Sequence, residues 1–177
     1  FVTIADITAS NIGNAVAFDS TSLYEGTYVT VKYVVDTSDA EQRFILTDNR
    51  ADTTTLRVRV QTSVSDSTVT TYTKATDITQ LSATSSVYFL QEVENGRFEV
   101  YFGDDVVSKA LSDGNVVILN YVVTNKTAAN GASSFSAPST IDGVSTISTT
   151  TVTSASGGSE PETLSSIKLQ APLDFAS

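Results

Sequence analysis

Val87-Tyr88-Phe89-Leu90-Gln91-Glu92-Val93, then Glu94-Asn95-Gly96, then Arg97-Phe98-Glu99-Val100-Tyr101-Phe102 is the stretch that decides the fold. Two runs rich in aromatic and β-branched residues flank Asn95-Gly96, the pair favoured where a two-residue hairpin turn needs positive φ. An antiparallel hairpin is therefore expected over 87–102, ended by Gly103-Asp104-Asp105. Downstream, Val116-Val117-Ile118-Leu119-Asn120-Tyr121-Val122-Val123 is apolar at alternate positions of both parities, which reads as a central strand covered on both faces. Asn130-Gly131 closes it off.

Upstream, Leu56-Arg57-Val58-Arg59-Val60-Gln61 alternates cleanly and predicts a half-buried antiparallel strand with one wet face. Tyr28 to Val35 predicts another, with Val29, Val31 and Tyr33 on one side. Arg43-Phe44-Ile45-Leu46 is a short strand, and Val69 to Tyr72 carries a weaker signal inside a Thr-rich stretch. Strands at this spacing, joined by turn residues, predict a mainly β fold. The expectation is an antiparallel β-sandwich or barrel-like module, followed by an extended arm and one short C-terminal helix.

The arm is Ser136 to Ser156, small and polar, with Ile141, Val144, Ile147 and Val152 scattered through it. A linker and extended strands packed on a partner both fit that composition. After Gly157-Gly158, Ser159-Glu160-Pro161-Glu162 has capping-box spacing, Leu164, Ile167 and Ala171 share a helical face, and Pro172 ends it. The expected organisation is a lead-in from a preceding module over 1–22, a β-rich domain over 23–135, the arm over 136–158 and a helix beginning the next module over 159–177. The chain starts at Phe1 without a basic leader and stops in mid-pattern, so it reads as an internal fragment.

Composition narrows the chemistry. The 177 residues carry 20 acidic and 10 basic side chains, for a net charge of −10, and no Cys and no His. There is thus no disulfide framework, no thiolate nucleophile, no Ser-His-Asp triad and no imidazole acid/base. The acid excess repels phosphate backbones, so no nucleic-acid partner is expected, and no apolar run is long enough for a membrane-spanning helix. Asp104, Asp105 and the nearby Asp113 are the most tempting carboxylates. No calcium-loop spacing surrounds them, and neighbouring residues on a strand face opposite ways, so they read as strand-end turn residues. Arg57 and Arg59 share a strand face and form a small basic stripe, open to either solvation or an interaction role. Glu92, Glu94 and Glu99 read as a wet face around the hairpin. No catalytic, cofactor-binding or metal-binding residue emerges, and the chain is not expected to be an enzyme.

Four ordered segments carry a family resemblance. They are Leu23 to Thr27; Asp52 to Val60; Phe98 to Asp104 with Asn125 to Phe135; and Gly157 to Lys168. Together they resemble the T-even-type baseplate wedge proteins of contractile-tailed phages, in the baseplate J-like group. The third segment is similar to the family's YFGDG…ANG…F core, here Tyr101-Phe102-Gly103-Asp104 with Asn130-Gly131. The fourth is similar to its GG.E.ES…I element, here Gly157, Gly158 and Glu162, leading into an AP..F segment at Ala171-Pro172 through Phe175. The chain departs at Asp105, where the family usually has Gly, and at Ser108, another small or glycine position.

The resemblance implies structural signature residues and no cofactor. It implies a component of the ring around the tail hub that helps transmit the sheath-contraction signal, with other copies and other wedge proteins as partners and no small-molecule substrate. The location implied is the virion tail baseplate, after assembly in the host cytoplasm. The competing expectation is a carbohydrate-binding or adhesin-like β-sandwich of a phage fibre or cell surface, which would need an exposed aromatic platform.

Overall fold

The computed structural model describes residues 1–13, 15–136, 140, 144–162, 165, 166, 168 and 169. The chain forms two compact units, Phe1–Thr124 and Asn125–Ser177.

The first unit is all β. Its strands are β1 (Ala9–Ile12), β2 (Ala15–Phe18), β3 (Thr27–Val34), β4 (Phe44–Ile45), β5 (Ala51–Gln61), β6 (Val69–Lys74), β7 (Val87–Val93), β8 (Arg97–Tyr101) and β9 (Val116–Val123). β1 and β2 pair with each other, whereas the other seven form one sheet in the order β3-β9-β5-β6-β7-β8-β4. The expected strands are present. β1 and β2, in the segment read as a lead-in, were not anticipated because Ala, Ser and Asn weaken their strand signal.

β9 lies between β3 and β5, and all eight of its residues are buried. Val117, Leu119, Tyr121 and Val123 face the core together with Val58, Val60, Leu46 and Val100. β5 is longer than the alternation of 56–61 predicts, because a register shift between Asp52 and Arg57 lets the polar Thr stretch join the sheet. Buried Thr55 makes this possible: its Oγ1 accepts the Val122 N–H at 2.9 Å and donates to the Asp52 carbonyl at 2.7 Å.

The sheet nearly closes on itself. Its two outer strands, β3 and β4, share no ladder, yet the Tyr33 hydroxyl donates to the Ile45 carbonyl at 2.6 Å. Inside, four rings meet edge to face in sequence: Tyr33 with Phe44 at 5.7 Å, Phe44 with Phe102 at 5.6 Å and Phe102 with Tyr72 at 5.4 Å. Edge-to-face contact suits the ring quadrupole and adds to the area each ring buries. The chain of rings links β3, β4, the end of β8 and β6 through the interior.

Three details differ from expectation. First, β6 and β7 pair in parallel, through Thr73↔Val87 and Lys74↔Tyr88, because a long connection rather than a tight turn joins them. Secondly, the hairpin turn holds three residues, since Val93 pairs with Arg97. Asn95 (φ 63°) and Gly96 (φ 69°) both take the left-handed conformation their residue types favour, but Glu94 joins them in the turn. Thirdly, Ser159 to Glu162 are not helical, whereas Ser165, Ser166, Lys168 and Leu169 are. The helix-face residues Leu164, Ile167 and Ala171, and the terminating Pro172, lie outside the described residues.

Candidate functional site

Three clusters gather the residues that the sequence singles out. The first is the turn after β8. Gly103 is packed so tightly that a Cβ built on it would overlap the Ser108 hydroxyl and carbonyl. Asp104 accepts the N–H groups of Val106 (3.1 Å) and Val107 (3.3 Å), which hold its carboxyl below the usual carboxylate range. Asp105 sits at φ 63°, a conformation that favours Gly, and its carboxylate accepts the Ala110 N–H at 2.8 Å. Its own N–H donates to the Ser108 carbonyl at 2.9 Å. Both aspartates are therefore engaged in turn hydrogen bonds. Asp113 is engaged elsewhere, accepting the Thr37 N–H at 3.1 Å. Tyr101, 42% exposed, stacks on Phe89 at 5.2 Å, while Phe102 turns inward to the ring chain.

The second cluster lies within the Asn125–Ser177 unit. A single 3-10 turn, Lys126–Ala129, leads into Asn130-Gly131. The Asn130 carboxamide accepts the Gly158 N–H at 3.0 Å and donates to the Gly158 carbonyl at 2.8 Å, as a neighbouring strand would. Gly131 N–H donates to the Ala155 carbonyl and Ala155 N–H to the Ala132 carbonyl, both at 2.8 Å. A Cβ on Gly158 would overlap the Lys126 carbonyl, so only glycine fits there. Lys126 Nζ reaches Glu160 Oε2 at 2.8 Å, a pairing that spacing alone does not reveal. Gly157, at φ 90°, turns the chain into this clasp, and Glu162 is exposed just beyond it.

The third cluster is the outer face of β3, β9, β5 and β6. Pairing register sets Thr30, Asn120 and Arg57 side by side, and beside them Lys32, Ile118, Arg59 and Thr71. Arg59 donates to Asn120 Oδ1 at 2.9 Å, and Asn120 Nδ2 donates to Thr30 Oγ1 at 2.6 Å, a polar row crossing three strands. The bridge between Val2 and Tyr24 carries Thr3 to Asp6 along one side, leaving a groove of about 790 Å³ that Lys74 and Tyr28 also line. Strand alternation from Val29, Val31 and Tyr33 already puts Lys32 on this face. Lys74 shares its strand parity with buried Tyr72 rather than with Thr71, and reaches the groove as the last residue of β6.

Of the three hairpin glutamates, Glu92 and Glu94 are exposed. Glu99 is buried, contrary to the wet-face reading, because Arg43 covers it with two hydrogen bonds (Nε to Oε1 at 3.0 Å, Nη2 to Oε2 at 2.8 Å). That pairing, opposed by burial and aided by Gln91, holds the Glu99 carboxyl below its ordinary value. Among the described residues, no helix is long and apolar enough to cross a membrane.

Comparison with known proteins places these features in a lineage. Baseplate wedge protein gp6 of Enterobacteria phage T4 is 27% identical over 108 residues, which is 49% of this chain and 16% of that protein. The chain thus spans well under two thirds of that relative's length. The family described as bacteriophage baseplate wedge protein gp6, third domain, matches residues 30–133, which takes in most of β3, all of β4 to β9, the turn at Gly103 and Asn130-Gly131. With more than half of its residues so matched, the chain belongs to the bacteriophage baseplate wedge protein gp6 family.

Proposed function

We propose that the chain is a structural module of a contractile-tail baseplate wedge, that copies of it contribute to the ring around the tail hub, and that the module helps pass on the signal for sheath contraction. The observation that carries this reading is the family match over 30–133, which coincides with the nearly closed sheet and its turn at Gly103. Tyr101, Phe102, Gly103, Asp104, Asn130, Gly131, Gly157, Gly158, Glu162 and Pro172 are read as structural signature residues with no chemical step to perform. In support, the carboxylate of Asp104 and the amide of Asn130 are engaged in backbone hydrogen bonds. The same reading keeps a lead-in over 1–22, the β-rich domain over 23–135, an arm over 136–158 and the start of a further module from 159. Partners are other wedge chains and other copies, in the virion tail baseplate after assembly in the host cytoplasm. No enzymatic activity, nucleic-acid partner or membrane partner is assigned.

Immunogold labelling of intact virions with an antibody to this chain tests the proposal. Label confined to the baseplate is expected; label at fibre tips or on the capsid would refute it. The carbohydrate-binding alternative rests on Tyr101, whose ring is partly exposed but spends one face on Phe89. Saturable hits on a glycan array, lost in Tyr101→Ala, would favour that alternative.

A further inference from the structure

The acidity of the chain makes its cations informative. Acidic side chains outnumber basic ones 20 to 10, so a groove that gathers three cations around one carboxylate runs against the composition. Among the described residues, Arg43, Arg50 and Lys126 have a carboxylate neighbour, at Glu99, Asp48 and Glu160. Lys32, Arg57, Arg59, Lys74, Arg97, Lys109 and Lys168 have none within ion-pair distance, and three of these seven gather at one groove. Arg57, Arg59 and Lys74 line the groove beside Thr3 to Asp6, where Asp6 is the sole acidic lining residue.

Geometry narrows what would fill it. Arg57 and Arg59 are two residues apart on one strand, so their side chains leave the same face about 7 Å apart. An extended polypeptide lying along β5 repeats its own side chains on one face at the same interval. Carboxylates at alternate positions of such a segment would each meet one guanidinium, and Lys74 extends the positive field along the groove. Arg59 is already anchored by Asn120, which fixes one guanidinium before anything binds. The Thr71 and Thr73 hydroxyls and the Tyr28 ring add neutral polar and aromatic surface. Resting on the assembly reading above, we propose that this groove docks an extended segment of another baseplate chain that carries Asp or Glu at alternate positions. Complementary charge of this kind fixes register and speeds encounter, and it weakens as salt screens it. A nucleic acid is the poorer fit, because its phosphates continue past the groove onto the acidic remainder of a chain with net charge −10, whereas a polypeptide segment needs carboxylates only opposite the groove's cations.

Fluorescence anisotropy of a labelled peptide of alternating Glu and Ser, titrated with the 177-residue chain at low salt, tests the proposal. Saturable binding that falls with added salt is expected. Arg57→Glu and Lys74→Glu should each weaken it by at least about tenfold, a loss of ~1.4 kcal/mol. Both side chains are exposed, so circular dichroism should show these variants folded. Lys109→Glu, outside the groove, should leave binding within about twofold. The proposal is overturned by the absence of saturable peptide binding, or by an equal loss in Lys109→Glu. It is also overturned by tighter binding of an oligothymidylate of equal charge, or by wild-type self-association that Arg57→Glu abolishes, since each names a different occupant. Baseplate immunogold label without peptide binding would refute the groove alone. Peptide binding with label elsewhere would refute the wedge reading and leave the groove's chemistry standing.

Discussion

The side chain of Asn130 holds the backbone of Gly158 from both sides of its peptide, accepting the N–H at 3.0 Å and donating to the carbonyl at 2.8 Å. An amide side chain thereby does what a paired strand does elsewhere, and closes a loop through the small, polar stretch between the two residues. The requirement for glycine at 158 follows directly, because a side chain there would strike the Lys126 carbonyl.

Asn130→Ala removes both hydrogen bonds while Gly131, Ala132 and Ala155 keep theirs. The expected cost is about 1–2 kcal/mol of local stability. Hydrogen–deuterium exchange should show faster exchange at Gly158 than in wild type, with β9 unchanged. Equal protection in both proteins would show that the clasp contributes nothing.

Gly103 and Ser108 should respond in opposite directions. Gly103→Ala places a methyl group into backbone atoms of Ser108 and should cost about 1–3 kcal/mol, since backbone cannot swing aside as a flexible side chain would. The Ser108 hydroxyl is fully buried and has no hydrogen-bond partner among the described residues. Ser108→Ala removes an unsatisfied polar group and should stabilise by about 1 kcal/mol. Urea midpoints measured side by side decide both.

The Arg43–Glu99 pair gives a pH signature. The Glu99 carboxyl titrates lower in the folded chain than in the unfolded one, chiefly because Arg43 hydrogen-bonds its charged form. In that window the unfolded chain binds more protons, so stability rises with pH. The contribution is complete above the unfolded carboxylate pKa and is lost as pH falls through the lower, folded value. Arg43→Gln should therefore lower stability at neutral pH and flatten the acid limb of a Tm-against-pH curve. An unchanged acid limb would contradict this account.

Closure of the sheet is testable at Tyr33. Tyr33→Phe keeps the ring contact with Phe44 and deletes only the hydrogen bond to the Ile45 carbonyl. A loss of about 1 kcal/mol in denaturant unfolding is expected, with faster exchange in β4 before any other strand.

What the sequence determined by itself was the strands of the seven-stranded sheet, each taken singly, while β1 and β2 left no clear local pattern. Alternation at 28–35 and 56–61, the doubly apolar run at 116–123 and the aromatic runs around Asn95-Gly96 are local patterns, and every one became a strand. The paired positive φ of Asn95 and Gly96 was legible for the same reason, because it belongs to the residues themselves. Tertiary structure decided which strands became neighbours. It made β6 and β7 parallel, gave the hairpin a third turn residue, and closed β3 on β4 through Tyr33. It also buried Glu99 under Arg43, brought Asn130 to Gly158, set Lys32 across β9 from Arg59 and brought Lys74 to the groove beside the Arg57–Arg59 stripe. Side-chain alternation reports which face of a strand is covered, but a partner distant in the chain supplies the covering group. Its identity therefore appears only once the sheet has formed.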